Sequence, residues 1–529
     1  MPLETEVTEA AAPEMEAAPS VEGLAKRARL SVHPRLRDLG MTGLSSVLVA
    51  VAATIVISLV GKMLGPVLLG EYLLVRRMAS WLQAVVVVPS GVALPRYVAV
   101  AADDSGAVRQ SYFVSALLVG GGFAIALCLV LVLWERPVSL LLFGDPALTS
   151  LALPLGLFLL GLAVHGAVFG FYQGLLSMGR ACAMQICNLA LFPVFVVALL
   201  YRQHSIPLIV VAMSILMIVC ALLFAAPIVR GVRLGAVLAR VRTTSRELLS
   251  FGLSRTWGDF GLQAVLSLPA VVAAHYLPIR SVSFLLLGSS FLALVGAATL
   301  PLGTVLLSQV TRSLAMQRTQ ELRVQLAYFI HALIELSVFV SIQLLALSGA
   351  IVRIWVGEGF LAGLRVIQIV MLAVPFYSVY GGLRSVVDAA AVKAYNTRNI
   401  FISLAIFLAL VCAFLAMENL SHLPLLEGLA TAGVIAIATL ACLTLGMMKR
   451  LFDLRVEVLK LLPGLGLAAA LGVATFLFDR ALGFEPRAFP LLLYEAVIAT
   501  IYFLTQWLLR SPWLCFLVGM FRSLEIEVS

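Results

Sequence analysis

The stretch LGPVLLGEYLLVRRMASWLQAVVVVPSGVALPRYVAVA, residues 64–101, places two adjacent arginines, Arg76 and Arg77, in a run that is otherwise almost wholly apolar. About 20 apolar residues in a helix are enough to cross the hydrocarbon layer of a membrane. The stretch is longer than that, and glycine and proline occur near both of its ends. We therefore expect it to lie in lipid, where the two arginines need a specific explanation.

The composition extends this interpretation to the whole chain. Hydrophobic residues make up 62% of the 529 residues, charged residues make up 12%, and the mean hydropathy is +1.07. A water-soluble protein of this size needs more polar surface. The net charge of +9 is therefore interpreted as the lysine and arginine excess of cytoplasmic loops and not as a nucleic-acid site.

Fourteen apolar runs are long enough to cross the membrane, and they are continuous instead of alternating with period two, which predicts helices and not a barrel. The predicted fold is an all-α polytopic membrane protein with about 14 transmembrane helices. The predicted spans are 42–61, 79–101, 112–134, 148–169, 181–201, 207–228, 252–275, 282–307, 326–349, 363–386, 399–417, 425–447, 459–478 and 489–509.

The distribution of basic residues predicts the topology. With the N-terminus in the cytoplasm, 26 of the 36 Lys and Arg residues fall on the cytoplasmic side and 10 fall outside. Both termini are then cytoplasmic, and we expect the cell inner membrane. The predicted units are a cytoplasmic tail (1–41), an N-lobe of helices 1–6 (42–228), a basic cytoplasmic linker (229–251), a C-lobe of helices 7–12 (252–447), and two C-terminal helices with a tail (448–529).

An internal repeat supports the two lobes. At an offset of 212 residues the chain matches itself without gaps, pairing Pro66 with Pro278, Tyr72 with Phe284, Pro89 with Pro301 and Gly91 with Gly303. Six spans per lobe is an even number, so both lobes have the same orientation. We therefore predict pseudo-symmetry about an axis along the membrane normal, as in transporters built from parallel repeats.

Motifs for catalysis or cofactor binding are missing from the sequence. The outer loops are short, the six histidines and seven cysteines show no metal-ligand spacing, and there is no GxxxxGK[ST] motif. We therefore expect neither an enzyme nor a cofactor or metal site. The remaining informative residues are charges inside the spans.

Three segments carry a family resemblance. Residues 64–101 resemble the first hairpin of the polysaccharide flippases of the multidrug/oligosaccharidyl-lipid/polysaccharide superfamily, HYLPIRSVSFLLLGSSFLALVGAATLPLG (275–303) repeats it, and IVRIWVGEGFLAGLRVIQIV (351–370) is similar to the family's outer loop before span ten. The resemblance implies an alternating-access bundle that moves an undecaprenyl-pyrophosphate-linked oligosaccharide between leaflets. The implied partners are that lipid-linked oligosaccharide, membrane lipids and a glycan polymerase or co-polymerase, with no nucleic acid.

The candidate substrate-binding residues are Arg76, Arg77 and Arg255. Arg76 and Arg77 lie on the predicted outer side, against the excess of basic residues on the cytoplasmic side. Their repeat equivalents are Gly288 and Ser289, so the shared fold does not require arginine there. A pyrophosphate needs several cationic donors in a partly desolvated site, and the resembling flippases have a cationic central cavity. The alternative is a pair of anchors that extend to the lipid headgroups.

The candidates for ion coupling are Asp259 and Glu335. Asp259 lies four residues after Arg255 on span seven, and Asp388 lies four residues after Arg384 on span ten, so each pair shares a helical face. The alternatives are neutralised pairs near the membrane interface and, for Glu335, a polar contact between helices.

Other functions remain open at this stage. A drug or cation extruder of the same fold should carry an acidic residue in its first-half cavity, yet span one has no Asp or Glu between residues 42 and 61. A membrane-bound glycan polymerase or ligase normally has a long outer loop. A non-transporting scaffold of a glycan assembly complex would keep the same fold.

Overall fold

The computed structural model describes residues 21–101, 106–230, 234–391, 393–416, 424–482, 488–509, 511 and 513–514. Within them, it leaves undescribed the side chains of residues 21–39, 234, 236, 254, 255, 298–305, 307–309, 315 and 482. All described regular elements are helical. The first nine α-helices are α1 (Val21–Val86), α2 (Leu94–Val100), α3 (Gly106–Leu133), α4 (Glu135–Phe143), α5 (Ala152–Gly174), α6 (Met178–Ile186), α7 (Phe192–Leu200), α8 (Ile206–Val229) and α9 (Leu234–Tyr276). The remaining nine are α10 (Ile279–Ala315), α11 (Thr319–Ala346), α12 (Ser348–Trp355), α13 (Leu364–Met371), α14 (Val374–Ala390), α15 (Tyr395–Ala416), α16 (Leu425–Phe452), α17 (Val458–Leu482) and α18 (Ala488–Leu508).

The helices confirm a multi-pass membrane protein. Within the described residues, twelve helices are long and apolar enough to cross a membrane. A thirteenth span results when Glu358–Met371 and Val374–Ala390, which are bent by 42° at a short break, are taken together. Helices suit this environment because they satisfy every backbone hydrogen bond within the segment.

Helix α1 contains two spans that fold back on each other at Gly65. This glycine has φ 81° and ψ −177°, a conformation that residues with a Cβ rarely adopt. Ile57 before the break and Leu73 after it line the same cavity, as do Thr54 and Arg76. In each pair, the two residues are equally far from Gly65 along the chain. The helical segments before and after Gly65, which we call the two arms of α1, therefore run antiparallel. Counting the arms separately adds a fourteenth span to the thirteen.

The second arm of α1 corrects one predicted boundary. The sequence places span two at 79–101, which leaves Arg76 and Arg77 in an outer loop. Instead the helix resumes directly after Gly65 and contains both arginines. At 1.5 Å per residue, Arg76 lies about 16 Å along the arm from the turn, near the middle of the membrane. In the predicted topology, the outer loops then carry 8 of the 10 basic residues assigned to them, which increases the predicted charge asymmetry.

We name the two faces of the protein by these features. The hairpin side is the face that contains Gly65, and the linker side is the face where α8 ends and α9 begins. In the predicted topology, the hairpin side is the outer side. The six-residue 3₁₀ turn Glu358–Gly363, which follows α12, also lies on the hairpin side, because Gly359 approaches Pro66.

The predicted linker is helical over most of its length. Helix α9 runs without interruption from Leu234 to Tyr276 and therefore joins the linker to span seven. Its first part contacts α3 of the predicted N-lobe, where the Tyr112 hydroxyl donates to Glu247 Oε2 at 2.6 Å and the Ser115 and Thr244 hydroxyls lie 2.6 Å apart. Its last part packs against α15 and α16, as Gly261 against Ile400 shows. One continuous helix thus connects the two predicted lobes.

A buried polar cluster attaches the C-terminal helices to α11. Glu335 is 3% exposed, and its Oε2 atom accepts hydrogen bonds from Gln506 Nε2 at 3.0 Å and Trp513 Nε1 at 2.8 Å. Helix α17 also contacts the carboxylate through Gly464, where a Cβ would lie 2.3 Å from Oε2. A buried carboxylate is tolerated when donors surround it in this way.

Candidate functional site

The first cavity lies between the two predicted lobes and has a volume of about 320 Å³. Both arms of α1 form one wall, α10 forms the other, and Trp355 of α12 borders the hairpin side. Its lining residues within the described part of the chain include two arginines and no Asp or Glu. They are Ser46, Val49, Ala50, Ala53, Thr54, Ile57, Leu73, Arg76, Arg77, Ser80, Gln185, Leu286, Ser290, Ala293, Leu294, Ala297 and Trp355.

The two arginines of this cavity are half-buried and hydrogen-bonded only to neutral groups within the described part of the chain. Arg76 Nη1 donates to the Tyr72 hydroxyl at 3.2 Å, and the guanidinium carbon lies 5.9 Å from the centre of the Tyr72 ring. Arg77 Nη2 donates to Ser289 Oγ at 2.8 Å. Neither guanidinium forms an ion pair with a described carboxylate, so both cations keep most of their donors for another partner.

The contact of Arg77 with Ser289 joins residues that are 212 positions apart. This is the offset of the sequence repeat, so Arg77 touches its own repeat equivalent. A residue can contact its equivalent only where both lie close to the axis that relates the two copies. The contact therefore supports the predicted pseudo-symmetry and places Arg77 at the centre of the molecule.

A second cavity of about 310 Å³ continues toward the linker side, and Ser80 lines both cavities. One wall is α1 with the π-helical turn Pro89–Ala93 after it, and the other wall is α9. The spacing of the lining residues shows that each wall is one helical face. They are Ser80, Gln83, Ala84, Val87, Val88, Gly91, Val92, Gly252, Thr256, Asp259 and Gln263.

Asp259 of the second cavity forms an ion pair with an arginine of another helix. Arg384 Nη2 of α14 lies 2.5 Å from Asp259 Oδ1, and Arg384 Nε lies 4.0 Å from Asp388 Oδ2. Arg384 therefore bridges two acidic residues, which joins the two predicted pairs. The Arg255 side chain lies outside the described residues, so only its position on α9 is given. That position is one turn from Asp259, on the helix that lines the second cavity.

On the hairpin side, the first cavity is closed by contacts between the predicted lobes. Trp355 Nε1 donates to the Thr54 carbonyl at 2.8 Å, and Ser58 Oγ donates to the Trp355 carbonyl at 2.5 Å. We call this pair of hydrogen bonds the latch. Close backbone approach adds to it, because a Cβ at Gly61 would lie 2.9 Å from the Val356 Cβ. The cavities are therefore shut on the hairpin side in this conformation.

The predicted site residues thus have different locations. Arg76 and Arg77 lie together in the first cavity, and Asp259 lies in the second. Glu335 lines neither cavity and is enclosed by α11, α17 and the C-terminal segment. Among the described residues, no group of three or more His, Cys, Asp or Glu side chains is arranged to hold a metal ion.

Sequence reasoning missed the polar residues that extend the site. Ser80 and Gln83 follow Arg76 at intervals of four and seven residues, so they share its helical face. That spacing is a usable signal, but a predicted span that starts at residue 79 hides it, because Arg76 then lies outside the helix. Ser289 was identified only as a repeat equivalent of Arg77, and its contact with that residue depends on how the lobes pack.

Comparison with known proteins agrees with this architecture. A sequence profile of the family described as "Polysaccharide biosynthesis protein" matches residues 36–307. This match covers about half of the chain, and it includes both arms of α1 and the cavity-lining parts of α9 and α10. No curated protein sequence matches the chain significantly.

Solved structures show the same fold at low sequence identity. The lipid II flippase MurJ in an inward closed conformation is 14% identical, with a TM-score of 0.66 over 90% of this chain and 99% of the other. An inward-facing multidrug resistance MATE family transporter of the MOP superfamily is 15% identical, with a TM-score of 0.59 over 77% and 94%. The eukaryotic MATE transporter AtDTX14 is 14% identical, with a TM-score of 0.56 over 83% and 98%.

Proposed function

This chain belongs to the polysaccharide biosynthesis protein family, and we propose that it moves a lipid-linked pyrophosphoryl oligosaccharide across the cell inner membrane by alternating access. A solved structure of the same fold is, by its name, a flippase of lipid II. The carrier lipid proposed here is undecaprenyl pyrophosphate, and the product supplies a polysaccharide assembled outside the membrane. We expect a glycan polymerase or co-polymerase as the partner that receives it.

One observation supports the anionic substrate most directly: Arg76 and Arg77 lie in a cavity that no described Asp or Glu lines. Removing a guanidinium from water is costly unless an anion or several acceptors replace the water. The two neutral hydroxyl acceptors satisfy only part of this requirement. A pyrophosphate would supply charge and several acceptor oxygens, and each charge-assisted hydrogen bond to it contributes about 1.5–3 kcal/mol.

The same observation disfavours a cation extruder of this fold. A cationic drug would face two like charges in the first cavity, and like charges repel strongly where water is scarce. The carboxylate of Asp259 in the second cavity is already paired with Arg384. The sign of the cavity therefore favours the flippase over the extruder.

The closed hairpin side indicates how transport proceeds. Because the latch closes the hairpin side, we expect substrate to enter from the linker side, which is cytoplasmic in the predicted topology. Substrate entry places the pyrophosphate beside Arg77, close to the proposed axis between the lobes. Release requires the latch to open while contacts on the linker side close, so the arginines serve both conformations from one central position.

Arginine replacement tests this function. The Arg76→Ala, Arg77→Ala double variant should lower the affinity for a prenyl pyrophosphate by roughly 10- to 100-fold for each lost charged contact. Cells carrying it should accumulate lipid-linked precursor and lose surface glycan. Lysine at both positions should restore part of the transport, because the charge survives without the bidentate geometry.

The matched control is the double variant Arg136→Ala, Arg202→Ala, which removes two exposed arginines that line neither cavity. It should export glycan normally. Both proteins must be present in the membrane at normal levels, as measured by immunoblot. If the Arg76 and Arg77 double variant is abundant and exports glycan at the normal rate, the two arginines are only membrane anchors and the proposal is wrong.

We also propose that Asp259 couples transport to an ion, because its carboxylate lies in the second cavity and its pairing with Arg384 can change during the cycle. Asp259→Asn should uncouple glycan export from the ion gradient. Glu335→Gln is the comparison, since Glu335 lines neither cavity. Normal export by Asp259→Asn, Glu335→Gln and the double variant would assign both residues to structure alone.

A further inference from the structure

The second cavity differs in chemistry from the first, although Ser80 belongs to both. Gln83 lies six residues after Arg77 on the same helix, about 9 Å further toward the linker side. Across the cavity from it, α9 contributes Thr256, Asp259 and Gln263. The cavity that begins with two guanidinium groups therefore continues into a space lined by amides, a hydroxyl and one carboxylate.

These polar groups have free hydrogen-bonding capacity. The side-chain amides of Gln83 and Gln263 are half-buried and form no hydrogen bond with a described residue. The Thr256 hydroxyl donates to the Gly252 carbonyl at 2.9 Å, which leaves its oxygen able to accept. An amide presents both donors and an acceptor, which match the hydroxyls of a sugar. Two such amides on facing helices can therefore hold one sugar ring from both sides.

The two cavities differ in charge, and each suits a different part of a pyrophosphoryl sugar. Among the described residues, no lysine or arginine lines the second cavity, and its one carboxylate, Asp259, is already paired with Arg384, whereas a pyrophosphate in the first cavity faces Arg76 and Arg77. A sugar hydroxyl, in contrast, donates well to a carboxylate. The shared residue Ser80 makes the two positions adjacent, as the pyrophosphate and the first sugar of the substrate are.

We propose that the second cavity is a sugar subsite in which Gln83 and Gln263 recognise the first sugar attached to the pyrophosphate. The inference rests on the proposed function, since it needs the pyrophosphate to occupy the first cavity. It makes these two residues determinants of glycan specificity. A site that hydrogen-bonds hydroxyl groups discriminates strongly against a ligand that lacks them, because its buried polar groups are then left unpaired.

Binding to the purified full-length protein in lipid nanodiscs tests the subsite. The probes are farnesyl pyrophosphate and farnesyl pyrophosphate esterified to glucose, galactose or N-acetylglucosamine. At least one sugar-bearing probe should bind more tightly than farnesyl pyrophosphate. Gln83→Leu and Gln263→Leu keep the side-chain size. Each should lower the affinity for that probe about fivefold, and the double variant should lower it about 25-fold. The affinity for farnesyl pyrophosphate should stay within about twofold of the wild-type value.

The control is Gln173→Leu, which makes the same change at an exposed position near the end of α5. It should bind every probe normally. If no sugar increases the affinity, or if Gln83→Leu and Gln263→Leu lower the affinity for all four probes equally, the proposed sugar subsite is wrong. Failure of the proposed function has a different signature: the wild-type protein would not bind farnesyl pyrophosphate, or the Arg76→Ala, Arg77→Ala variant would bind it normally.

Discussion

The latch on the hairpin side should set how often the cavity opens to that side. It consists of two hydrogen bonds, from Trp355 Nε1 to the Thr54 carbonyl and from Ser58 Oγ to the Trp355 carbonyl. Each contributes about 1 kcal/mol to the closed conformation. The double variant Trp355→Phe, Ser58→Ala should therefore lower the stability of the closed conformation by about 2 kcal/mol, which is about a 30-fold change in the closed-to-open ratio.

Phenylalanine is chosen so that the aromatic contact survives. The Trp355 ring lies 5.1 Å from the Phe291 ring in an edge-to-face arrangement that the smaller phenylalanine ring can keep. The Trp355 side chain is otherwise buried, so a larger truncation would add a packing defect. The observed change should then report mainly the lost hydrogen bonds.

The assay is the rate of thiol labelling at a cavity position. Ala53 lines the first cavity, and Ala53→Cys in a variant without the seven native cysteines supplies a single target. A membrane-impermeant maleimide is added to intact cells, whose exterior the hairpin side faces in the predicted topology. If opening precedes labelling, the rate should rise in proportion to the open fraction, up to about 30-fold in the double variant.

Thr500→Ala is the matched control for the latch. The exposed Thr500 hydroxyl donates to the Ala496 carbonyl within α18 and lines neither cavity. This control should leave the labelling rate unchanged. An unchanged rate in the Trp355 and Ser58 variant, or an equal rise with Thr500→Ala, would refute the latch as the element that closes the hairpin side.

Three further predictions follow from the fold. Gly65→Ala, at a position where φ is +81°, should destabilise the hairpin by about 1–2 kcal/mol. The yield of folded protein should fall, as measured by size-exclusion chromatography of the detergent-solubilised protein. An unchanged profile would show that the turn tolerates a Cβ. Glu335→Ala leaves the Trp513 donor without its acceptor and leaves Gln506 Nε2 with only the Tyr502 hydroxyl. Thermal unfolding in detergent should therefore occur earlier by an amount equivalent to about 1–3 kcal/mol, whereas Glu335→Gln should lose less stability. Equal stability of both variants would contradict the anchoring role. Cysteines introduced at Arg240 and Glu358 should label from opposite faces of the membrane, and labelling of both from one face would overturn the predicted topology.

Hydropathy was sufficient to predict most of the spans. The apolar run 207–228, for example, corresponds to α8 (Ile206–Val229), and 425–447 falls inside α16 (Leu425–Phe452). The reason is physical, since every backbone group in lipid must be bonded within its own helix. A long apolar run therefore has few structures available to it.

The same reasoning failed where function interrupts the apolar pattern. Arg76 and Arg77 lower the local hydropathy, so the start of span two was expected at residue 79 although the helix resumes after Gly65. Cavity-lining charges are the residues that an apolar criterion excludes from a span. An error of this kind therefore points to the functional site.

The partners of charged residues were beyond the reach of sequence spacing. The four-residue intervals correctly placed Asp259 and Asp388 on helical faces, but Arg384 contacts both because α9 and α14 pack together. Likewise, Glu335 had two possible roles on sequence grounds, and the position of the C-terminal segment determined its donors. Such contacts depend on which helices become neighbours, and spacing within one helix contains no information about that.

The contact between Arg77 and Ser289 also bears on how a duplicated protein acquires a charged centre. If both copies of the repeat carried arginine at this position, two guanidinium groups would meet at the axis and repel each other at close range. A hydroxyl in the second copy removes the repulsion and supplies an acceptor at 2.8 Å. A difference between the two copies at this position close to the axis therefore avoids like-charge repulsion whenever no anion is bound. Ser289→Arg should accordingly destabilise the unliganded protein more than Arg77→Ala, as measured by thermal unfolding in detergent.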